Sequence, residues 1–394
     1  MAKKKKIIIL NGSHSDIPLI KAAKSLGFYV VTTGNNPNLI GHAYADEYHF
    51  ADYSDPDAIL RIAEKLKIDA VCSCTNDFGA ITASFVSDKM NLPGHDSYDT
   101  TLILHHKDRF KRFALDNDIQ TPYAECFDKL DAALSSVSRY KYPLIIKPID
   151  LTGGKGVSKV TSIEQYKDAV NLSFSVSRVN RIVVEKFIEG TQHSFSTFIL
   201  KGKVVFYFSD NEYSYLNPDL VSTSAAPAIS VDKVVDTLIK TAEKIASLLS
   251  LKDGVFHIQY LYYNSEAYII EITRRCSGDL YPYPVDYSTG LDWASWIVKA
   301  ETGMNCSEFP KVNQKGYCGR HCIMSSKNGT VKNVVIDEHI AGNIYNKLMW
   351  WEKGYCIKNY LEEKIGIVIL KYDSMDEMLD KTKRINDLIF IDID

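Results

Sequence analysis

The sequence predicts a chain of mixed class, α/β at its N-terminal end and α+β beyond it. Three observations carry this. Through the first hundred residues short apolar runs alternate with amphipathic helical stretches, the pattern of βαβ units and a parallel sheet. Farther along, pairs of strand-like segments face each other across tight turns, which is an antiparallel pattern. After Phe309 a further small unit of strands and a helix follows.

The elements follow in order. Lys6–Leu10 is a short apolar strand. Asn11–Asp16 is a loop in which Ser15 or Asp16 can cap a helix with Ile17, Ile20, Ala23 and Leu26 on its apolar face. Gly27 stops that helix, and Tyr29–Thr33 and Glu47–Ala51 are strands. Asp55-Pro56 opens a helix to Leu66, with proline in the first turn where its missing N–H costs nothing. Ala70–Cys74 is the next strand. A doubly wound parallel sheet binds ligands at its strand C-terminal ends, which makes Asn11–Ser15 and Thr75-Asn76-Asp77 loops of interest. The pattern breaks at Leu92-Pro93-Gly94-His95. A charged helix, Leu102–Asn117, carries Lys107, Arg109, Lys111 and Arg112, a run that ordinarily marks a solvated face. After Thr121-Pro122 come a strand, a helix near Lys129–Ser138, and the strand Leu144-Ile145-Ile146. Ile163–Val170 is helical and Arg181–Val184 is a strand. Ser194–Phe208 is a hairpin about Lys201-Gly202-Lys203, and Val231–Leu251 is a long helix. Val255–Tyr263 and Ala267–Ile272 pair about an Asn264-Ser265 turn. The last unit has strands near Tyr317–Met324, Thr330–Val335 and Gly366–Tyr372, and a helix from Met375 to Leu388.

The length of 394 residues suits two or three domains, and 45% hydrophobic with 24% charged residues is ordinary for a globular protein. A net charge of −3 gives no reason to expect a nucleic-acid or membrane partner. The basic start at Lys3–Lys6 precedes only Ile7–Leu10, short of the roughly 7–15 apolar residues of a signal peptide core. No run approaches the roughly 18–20 residues of a membrane span. These features predict a cytoplasmic chain whose eight cysteines are free thiols. Cys318, His321 and Cys322 lack the second pair that zinc needs, and read as small residues on a buried strand.

Two segments carry chemistry. In Tyr142–Val157 an apolar strand delivers Lys147, and the loop Gly153-Gly154-Lys155-Gly156 follows. Glycines let backbone N–H groups approach phosphate oxygens, and the lysines neutralise charge. The loop is neither GxxxxGK[ST], since Gly156 follows Lys155, nor GxGxxG opening a helix. The second segment is the hairpin Val255–Ile272 with Gln259 on one strand and Glu271 on the next. Oxygen ligands so placed suit magnesium, which takes few protein ligands and keeps waters. Glu271 follows the apolar Tyr268-Ile269-Ile270, and a lone carboxylate on a covered strand would be costly without a cation. Arg275 follows, where it can clamp a phosphate or carboxylate in bidentate fashion.

By order and local pattern these residues resemble the ATP-grasp superfamily, in its carboxylate–amine ligase and carbamoyl-phosphate synthase large-chain branches, from about Lys5 to Pro310. The resemblance implies a Rossmann-like domain over 1–95. It implies a two-lobed ATP-grasp domain over 96–310 with a mobile lid near 120–190, and a small C-terminal α+β domain over 311–394, as in the purine-biosynthesis layout. It implies that Lys107 and Lys147 bind phosphates and that Gly153, Gly154, Lys155 and Gly156 fold over them. Glu185, Lys186, Phe187 and Ile188 match the hinge that holds adenine, and Gln192 falls where many members carry a ribose-binding glutamate. Gln259, Glu271 and Thr273 match the magnesium signature, and Arg275 and Lys147 the catalytic cations. Two departures stand out: Thr273 replaces the usual asparagine and Gln192 the usual acid.

The implied activity is an ATP-dependent ligation of a small carboxylate, with amino acids among the options, to an amine. It runs through an acyl phosphate and releases ADP and phosphate. ATP and magnesium are the implied cofactors, with manganese an alternative. The partners are the two small molecules, with neither nucleic acid nor membrane, and a homodimer is one option. His14, Ser277, Gly278, Asp279 and Arg320 are expected near the acceptor, with Ser13, Asp77, His321 and a proline-braced loop at Tyr281–Tyr287 beside them. Other readings are a purine-pathway enzyme of carboxylase or formyltransferase type and an ATP-binding module of weak turnover. The first is ranked lower because Asn11–Asp16 lacks repeated glycines, and the second is motivated by Thr273 and Gln192. A nicotinamide dehydrogenase is disfavoured because no GxGxxG follows the first strand.

Overall fold

The computed structural model describes residues 4–151, 154–229 and 231–394. The N-terminal unit comprises β1 (Lys6–Ile9), α1 (Ile17–Ser25), β2 (Tyr29–Gly34), β3 (Glu47–Phe50), α2 (Pro56–Leu66), β4 (Ala70–Cys72) and α3 (Asp77–Met90). Its strands form a parallel sheet in the order β3-β2-β1-β4, as the alternating pattern predicts. Asp55 caps α2 by accepting from Ala58 N. Asp16 does not cap α1. Its carboxylate turns back to the N–H and hydroxyl of both Ser13 and Thr75, tying the two strand-end loops together. The Thr75–Asp77 segment is a loop only as far as Asn76, whose side chain accepts from Phe78 N and starts α3.

The predicted helix Leu102–Asn117 is two helices, α4 (Tyr98–His105) and α5 (Lys107–Asp116). His106 between them is extended, at φ −91° and ψ 117°. The break puts Lys107 in the first turn of α5, where its N–H meets Ile149 O. Next come β5 (Ala124–Phe127), α6 (Leu130–Ser135), β6 (Leu144–Pro148), β7 (Ser158–Val160), α7 (Ile163–Val176) and β8 (Ile182–Lys186). They form a separate antiparallel sheet, β5-β8-β6-β7, with its own core around Ile146, Tyr166 and Val184.

The remaining elements are β9 (Thr191–Leu200), β10 (Lys203–Tyr213), β11 (Thr223–Ala226), α8 (Val235–Leu248), β12 (Gly254–Tyr263), β13 (Glu266–Thr273), α9 (Pro282–Thr289) and α10 (Trp293–Glu301). They continue through β14 (Tyr317–Met324), β15 (Gly329–Ile336), α11 (Glu338–Ala341), β16 (Ile344–Met349), β17 (Cys356–Ile357), β18 (Lys364–Tyr372), α12 (Met375–Lys383), α13 (Ile385–Leu388) and β19 (Ile389–Ile393). The Tyr281–Tyr287 run is therefore largely helix, with Pro282 in the first turn, rather than a loop. An eight-stranded sheet in the order β13-β12-β9-β10-β11-β14-β18-β16 runs through the middle of the molecule. After residue 316, β14, β18 and β16 extend this sheet, and β17-β15-β19 is a small sheet apart from it.

Side-chain alternation explains where the site lies. On one face Phe195, Ile199, Phe256, Ile258 and Tyr260 pack on α8 and on Phe110 and Ala114 of α5. The other face is divided. Phe198, Phe206, Phe208 and Val255 share a core with Trp293 and Ile297 of α10 and with Ile7, Ile9 and Leu19 of the first unit. Two to six residues along the same strands, that face changes to Ser196, Ser194 and Gln192, to Asp210 and Glu212, and to His257 and Gln259. The N-terminal unit thus covers the apolar half of this face and brings its strand ends to the border of the polar half.

Candidate active site

The β12–β13 register sets Gln259 directly opposite Glu271, and His257 opposite Thr273. The break before α5 aims Lys107 at this pair. Its Nζ lies 3.3 Å from Glu271 Oε1 and donates to Leu151 O at 2.9 Å, where the glycine-rich connection begins. Burial pulls the Lys107 ammonium down, but the carboxylates of Glu271 and Asp77 outweigh it and hold it above its ordinary value. His257 is buried, pushed down to about 3, and stays neutral against the Ser196 hydroxyl. Thr273 is buried and its Oγ1 has no hydrogen-bond partner.

The small sheet supplies a second cationic cluster. Lys147 of β6 lies 2.9 Å from Glu185 of β8, and Lys111 of α5 approaches the other oxygen at 3.1 Å. Burial alone would raise the Glu185 carboxyl, but the two ammonium groups outweigh it and bring it to about 2. Burial pulls the Lys111 ammonium below its usual range. Glu185 and Lys186 end β8, and the chain then leaves the sheet through Phe187 and Ile188. Lys186 N donates to Tyr123 O and Phe187 N to Pro143 O. The Phe187 ring lies under Lys159 Nζ at 3.8 Å. Among the described residues Ile188 N donates no hydrogen bond, so this turn can offer a main-chain donor to a base.

Of the glycine loop, Gly153 lies outside the described residues. Gly154 and Gly156 both hold positive φ, 75° and 72°. A Cβ on Gly154 would stand 2.1 Å from Asp219 O, so only glycine lets this turn lie against that backbone. Lys155 is exposed, with its Nζ 3.6 Å from Glu362.

Arg275 is held from the N-terminal unit. Asp77 Oδ1 and Oδ2 accept from its Nε at 2.8 Å and its Nη2 at 3.1 Å. His105 Nδ1 meets Asp77 Oδ1 at 3.0 Å while its Nε2 accepts from Arg274 N, which fixes the neutral tautomer with the proton on Nδ1. Burial would raise the Asp77 carboxyl, but Arg275 and His105 take it below the ordinary range.

A third cluster centres on Asp279. Its carboxylate accepts from Lys364 Nζ at 2.7 and 2.8 Å, lies 3.0 Å from an Arg320 guanidinium nitrogen, and is 3.6 Å from His14 Nε2. The His14 ring stacks on Trp350 at 4.2 Å, and Ser15 Oγ accepts from Asp279 N. Asp279 and Leu280 both sit in the left-handed region, at φ 56° and 61°. Such backbone costs of order 1–3 kcal/mol per residue and persists where surrounding contacts enforce it. Gly278 borders Thr75 O and Ser15 Oγ, and its own carbonyl accepts from Tyr281 N. Ser277 precedes it, half-buried. His321 is on the opposite face of β14 from Arg320, bonded to Thr223 Oγ1 and pushed down to about 3 by burial.

The structure brings Lys107, Gln259 and Glu271 together, gathers Lys147 with Glu185, and gathers His14, Asp279 and Arg320. Residues that sequence reasoning passed over are Lys111, His105, Trp350, Lys364, Asp210 and Glu212. The last two continue the alternation of β10 past Phe208, and that alternation of acids in an apolar strand was a usable signal. Glu212 accepts from Gln192 Nε2 at 2.9 Å and from Gln259 Nε2 at 3.0 and 3.1 Å. Burial, then the neighbouring Asp210 carboxylate, raise it to about 7. Asp210 itself accepts from Ser194 Oγ and is raised by burial.

The donor set suits a hard cation. It offers the Glu271 carboxylate, an amide and an orphaned hydroxyl. Oxygen donors of this kind suit magnesium or manganese rather than a softer metal.

A large antiparallel sheet facing a small separate sheet, with lysines and a glycine-rich turn between them, defines an ATP-binding fold of the ATP-grasp class. Comparison agrees. The model of the family "Carbamoyl-phosphate synthase L chain, ATP binding domain" matches residues 107–309, and the chain belongs to that family. The carbamoyl phosphate synthase large chain of Clostridium acetobutylicum is 24% identical over 307 residues, 73% of this chain but 27% of that protein. The chain thus spans about a quarter of the length of that relative. The formate-dependent phosphoribosylglycinamide formyltransferase of Rhodococcus jostii is 22% identical over 68% of both chains. Among solved structures, an L-amino acid ligase from Bacillus licheniformis superposes with a TM-score of 0.83 at 19% identity, covering 100% of each chain. The biotin carboxylase domain of the Hydrogenobacter thermophilus 2-oxoglutarate carboxylase, solved as a dimer with MgADP and bicarbonate, gives 0.79 at 17% identity over 99% and 91%. At these identities the structural likeness is one of fold. The ATP-grasp resemblance of the sequence is borne out.

Proposed function

We propose that the chain is an ATP-dependent ligase that joins a small carboxylate to an amine and releases ADP and phosphate. The observation that carries this reading is Lys107, whose one ammonium touches both the Glu271 hairpin and the start of the glycine-rich loop. A triphosphate laid there meets positive charge from Lys107, Lys147 and Lys111 and backbone N–H groups from the turn at Gly154–Gly156. Adenine rests against the Lys186–Ile188 main chain, and Gln192 faces the ribose. Gln259, Glu271 and Thr273 would hold magnesium, or manganese in its place. When bound, the metal neutralises charge on the β- and γ-phosphate oxygens.

The carboxylate oxygen of the substrate attacks the γ-phosphorus. The bond to the β,γ-bridging oxygen breaks, and ADP leaves with that electron pair. Arg275, held flat by Asp77, stabilises charge on the transferring group, and Lys147 does so from the lid. The amine then attacks the acyl carbon, phosphate leaves with the electron pair of the C–O bond, and the nitrogen gives up a proton to the departing phosphate, which leaves the amide. His14, Ser277, Gly278, Asp279 and Arg320 line the acceptor end, with Lys364 beside them.

The domain division belongs to the same reading. Residues 1–95 form the nucleotide-fold unit and 96–310 the ATP-grasp domain, with 120–190 as lid. Residues 311–394 form the C-terminal unit, which lends β14, β16 and β18 to the central sheet. No helix among the described residues is long and apolar enough to cross a membrane. The reading is that of a cytoplasmic enzyme of small-molecule substrates, with neither nucleic acid nor membrane as partner and with a homodimer as one assembly.

The test is a coupled ADP-release screen over carboxylate and amine pairs, with mass detection of the condensed product. An amide formed with stoichiometric ADP supports the reading. Tight ATP binding with no ADP release for any pair would leave a nucleotide-binding module instead.

A further inference from the structure

Glu212 is on β10, beside Gln192 of β9 and within reach of Gln259 of β12. All three belong to the polar half of the sheet face. Gln192 Nε2 donates to Glu212 Oε2, and Gln259 Nε2 spans both Glu212 oxygens. An amide side chain has two ends of nearly the same shape, one a donor and one an acceptor, and packing alone does not choose between them. A carboxylate does choose, because it only accepts. It fixes the nitrogen of both amides on itself and leaves both carbonyl oxygens for other partners. Among the described residues neither Gln192 Oε1 nor Gln259 Oε1 accepts a hydrogen bond.

We propose that Glu212 is a positioning residue that sets the orientation of two amides at once. It presents Gln259 Oε1 as a metal ligand and Gln192 Oε1 as the acceptor for a ribose hydroxyl. The proposal rests on the nucleotide and metal roles proposed above for these glutamines. It explains how amides can serve at both of these positions in a working site. A glutamine offers a hard cation an oxygen only if its nitrogen is engaged elsewhere. A fixed partner for that nitrogen makes the amide act as a one-sided acceptor, as a carboxylate would. Outer partners of metal ligands typically shift metal affinity by about 10–100-fold.

The test is direct binding, separate from turnover. Manganese in the presence of ATP is counted by electron paramagnetic resonance for the wild type, Glu212→Gln, and the exchanged pair Glu212→Gln/Gln259→Glu, at mildly alkaline pH. Affinity for ATP and for its deoxyribose analogue is measured by calorimetry without metal. Glu212→Gln leaves a partner able to donate as well as accept, so Gln259 is free to turn its nitrogen inward. Manganese affinity is expected to fall by about tenfold. The same variant is expected to lose the wild-type preference for ATP over the deoxy analogue. The exchanged pair restores an oxygen at position 259 held by an amide at 212, and its manganese affinity is expected to return to within about threefold of wild type. Wild-type manganese affinity in Glu212→Gln would overturn the proposal, as would an exchanged pair no better than the single variant. A wild type that binds neither manganese nor ATP would instead defeat the proposed function itself, and this proposal with it.

Discussion

The phosphate end and the acceptor end of the site are built on the same electrostatic plan from different lengths of chain. At the phosphate end one buried carboxylate, Glu185, is flanked by Lys147 and Lys111. At the acceptor end one carboxylate, Asp279, is flanked by Lys364, Arg320 and His14. Each carboxylate is outnumbered by basic groups, and each cluster keeps positive charge to spare for an anion. The first is assembled from neighbouring elements of one stretch, Lys111 to Glu185. The second needs both ends of the chain, His14 and Lys364. A carboxylate among buried lysines does two things: it makes burial of the lysines tolerable, and it holds their ammonium groups apart and aimed.

The sharpest way to break the phosphate-end half of this comparison is to remove its carboxylate. Glu185→Ala leaves Lys111 and Lys147 buried with no counter-charge, which is expected to destabilise the fold by roughly 3–5 kcal/mol. Denaturant unfolding at neutral pH measures it, and a loss below about 1 kcal/mol would mean that water reaches the lysines in the native state. The same pair gives a pH signature. Glu185 is held at about 2 in the folded chain against an ordinary 4.5. Its contribution to stability is therefore complete above pH 4.5 and is lost as pH falls towards 2. Glu185→Gln should flatten the wild-type loss of stability in that window.

Next in size is the loss of a cation from the same cluster. Lys147→Ala should lower ADP release by about 10²–10³-fold, the usual cost of one preorganised group facing transition-state charge. Circular dichroism should show the fold unchanged, since Lys111 still pairs Glu185. Undiminished ADP release would remove Lys147 from the phosphate end.

The two ends also differ in how far the sequence shows them. Lys147, Glu185, Gln259 and Glu271 were legible because each sits at a fixed place within a local pattern: an apolar strand, a strand end, a hairpin. The register of Gln259 against Glu271 was not legible: counting back from the Asn264-Ser265 turn sets Ile270 opposite Gln259, and a β-bulge between Gln259 and Tyr260 brings Glu271 there instead. His14, Asp279 and Arg320 were picked out as separate loop and strand residues, but nothing in their spacing joined them, and Lys364 carried no signal. Their meeting depends on β14 and β18 lying side by side in the central sheet and on the first unit docking through Ile7, Leu19 and Trp293. The helix break at His106 was missed for a related reason. Leu102–Asn117 has a helical pattern throughout, and the contact that competes with it, Lys107 N to Ile149 O, is tertiary.

At the acceptor end the comparison is sharpened by a conservative change. Arg320→Lys keeps the charge but gives up the planar fork that can hold Asp279 and a substrate carboxylate together. KM for the carboxylate should rise about tenfold, the weight of one charge-assisted hydrogen bond, with KM for ATP nearly unchanged. An equal rise in both constants would mean that Arg320 serves the fold of the whole site rather than its acceptor end.

The smallest effect belongs to Lys155, which reaches towards the far side of the site. Lys155 pairs with Glu362 across 3.6 Å, and both side chains are largely solvent-exposed, 59% and 49%. An exposed pair at that distance contributes about 0–1 kcal/mol, because water screens it and two long side chains must be ordered to form it. Lys155→Ala should therefore leave the unfolding midpoint almost where it was. Turnover is the discriminating measurement. If Lys155 closes over the phosphates with its loop, it exchanges Glu362 for the triphosphate on binding, and KM for ATP rises several-fold while stability does not move. Glu362→Ala should then act in the opposite sense, because it frees Lys155 in the unliganded chain and lowers KM for ATP slightly. If both variants leave KM for ATP unchanged, the loop acts through its glycine backbone alone, and the phosphate end is built only from its buried lysines.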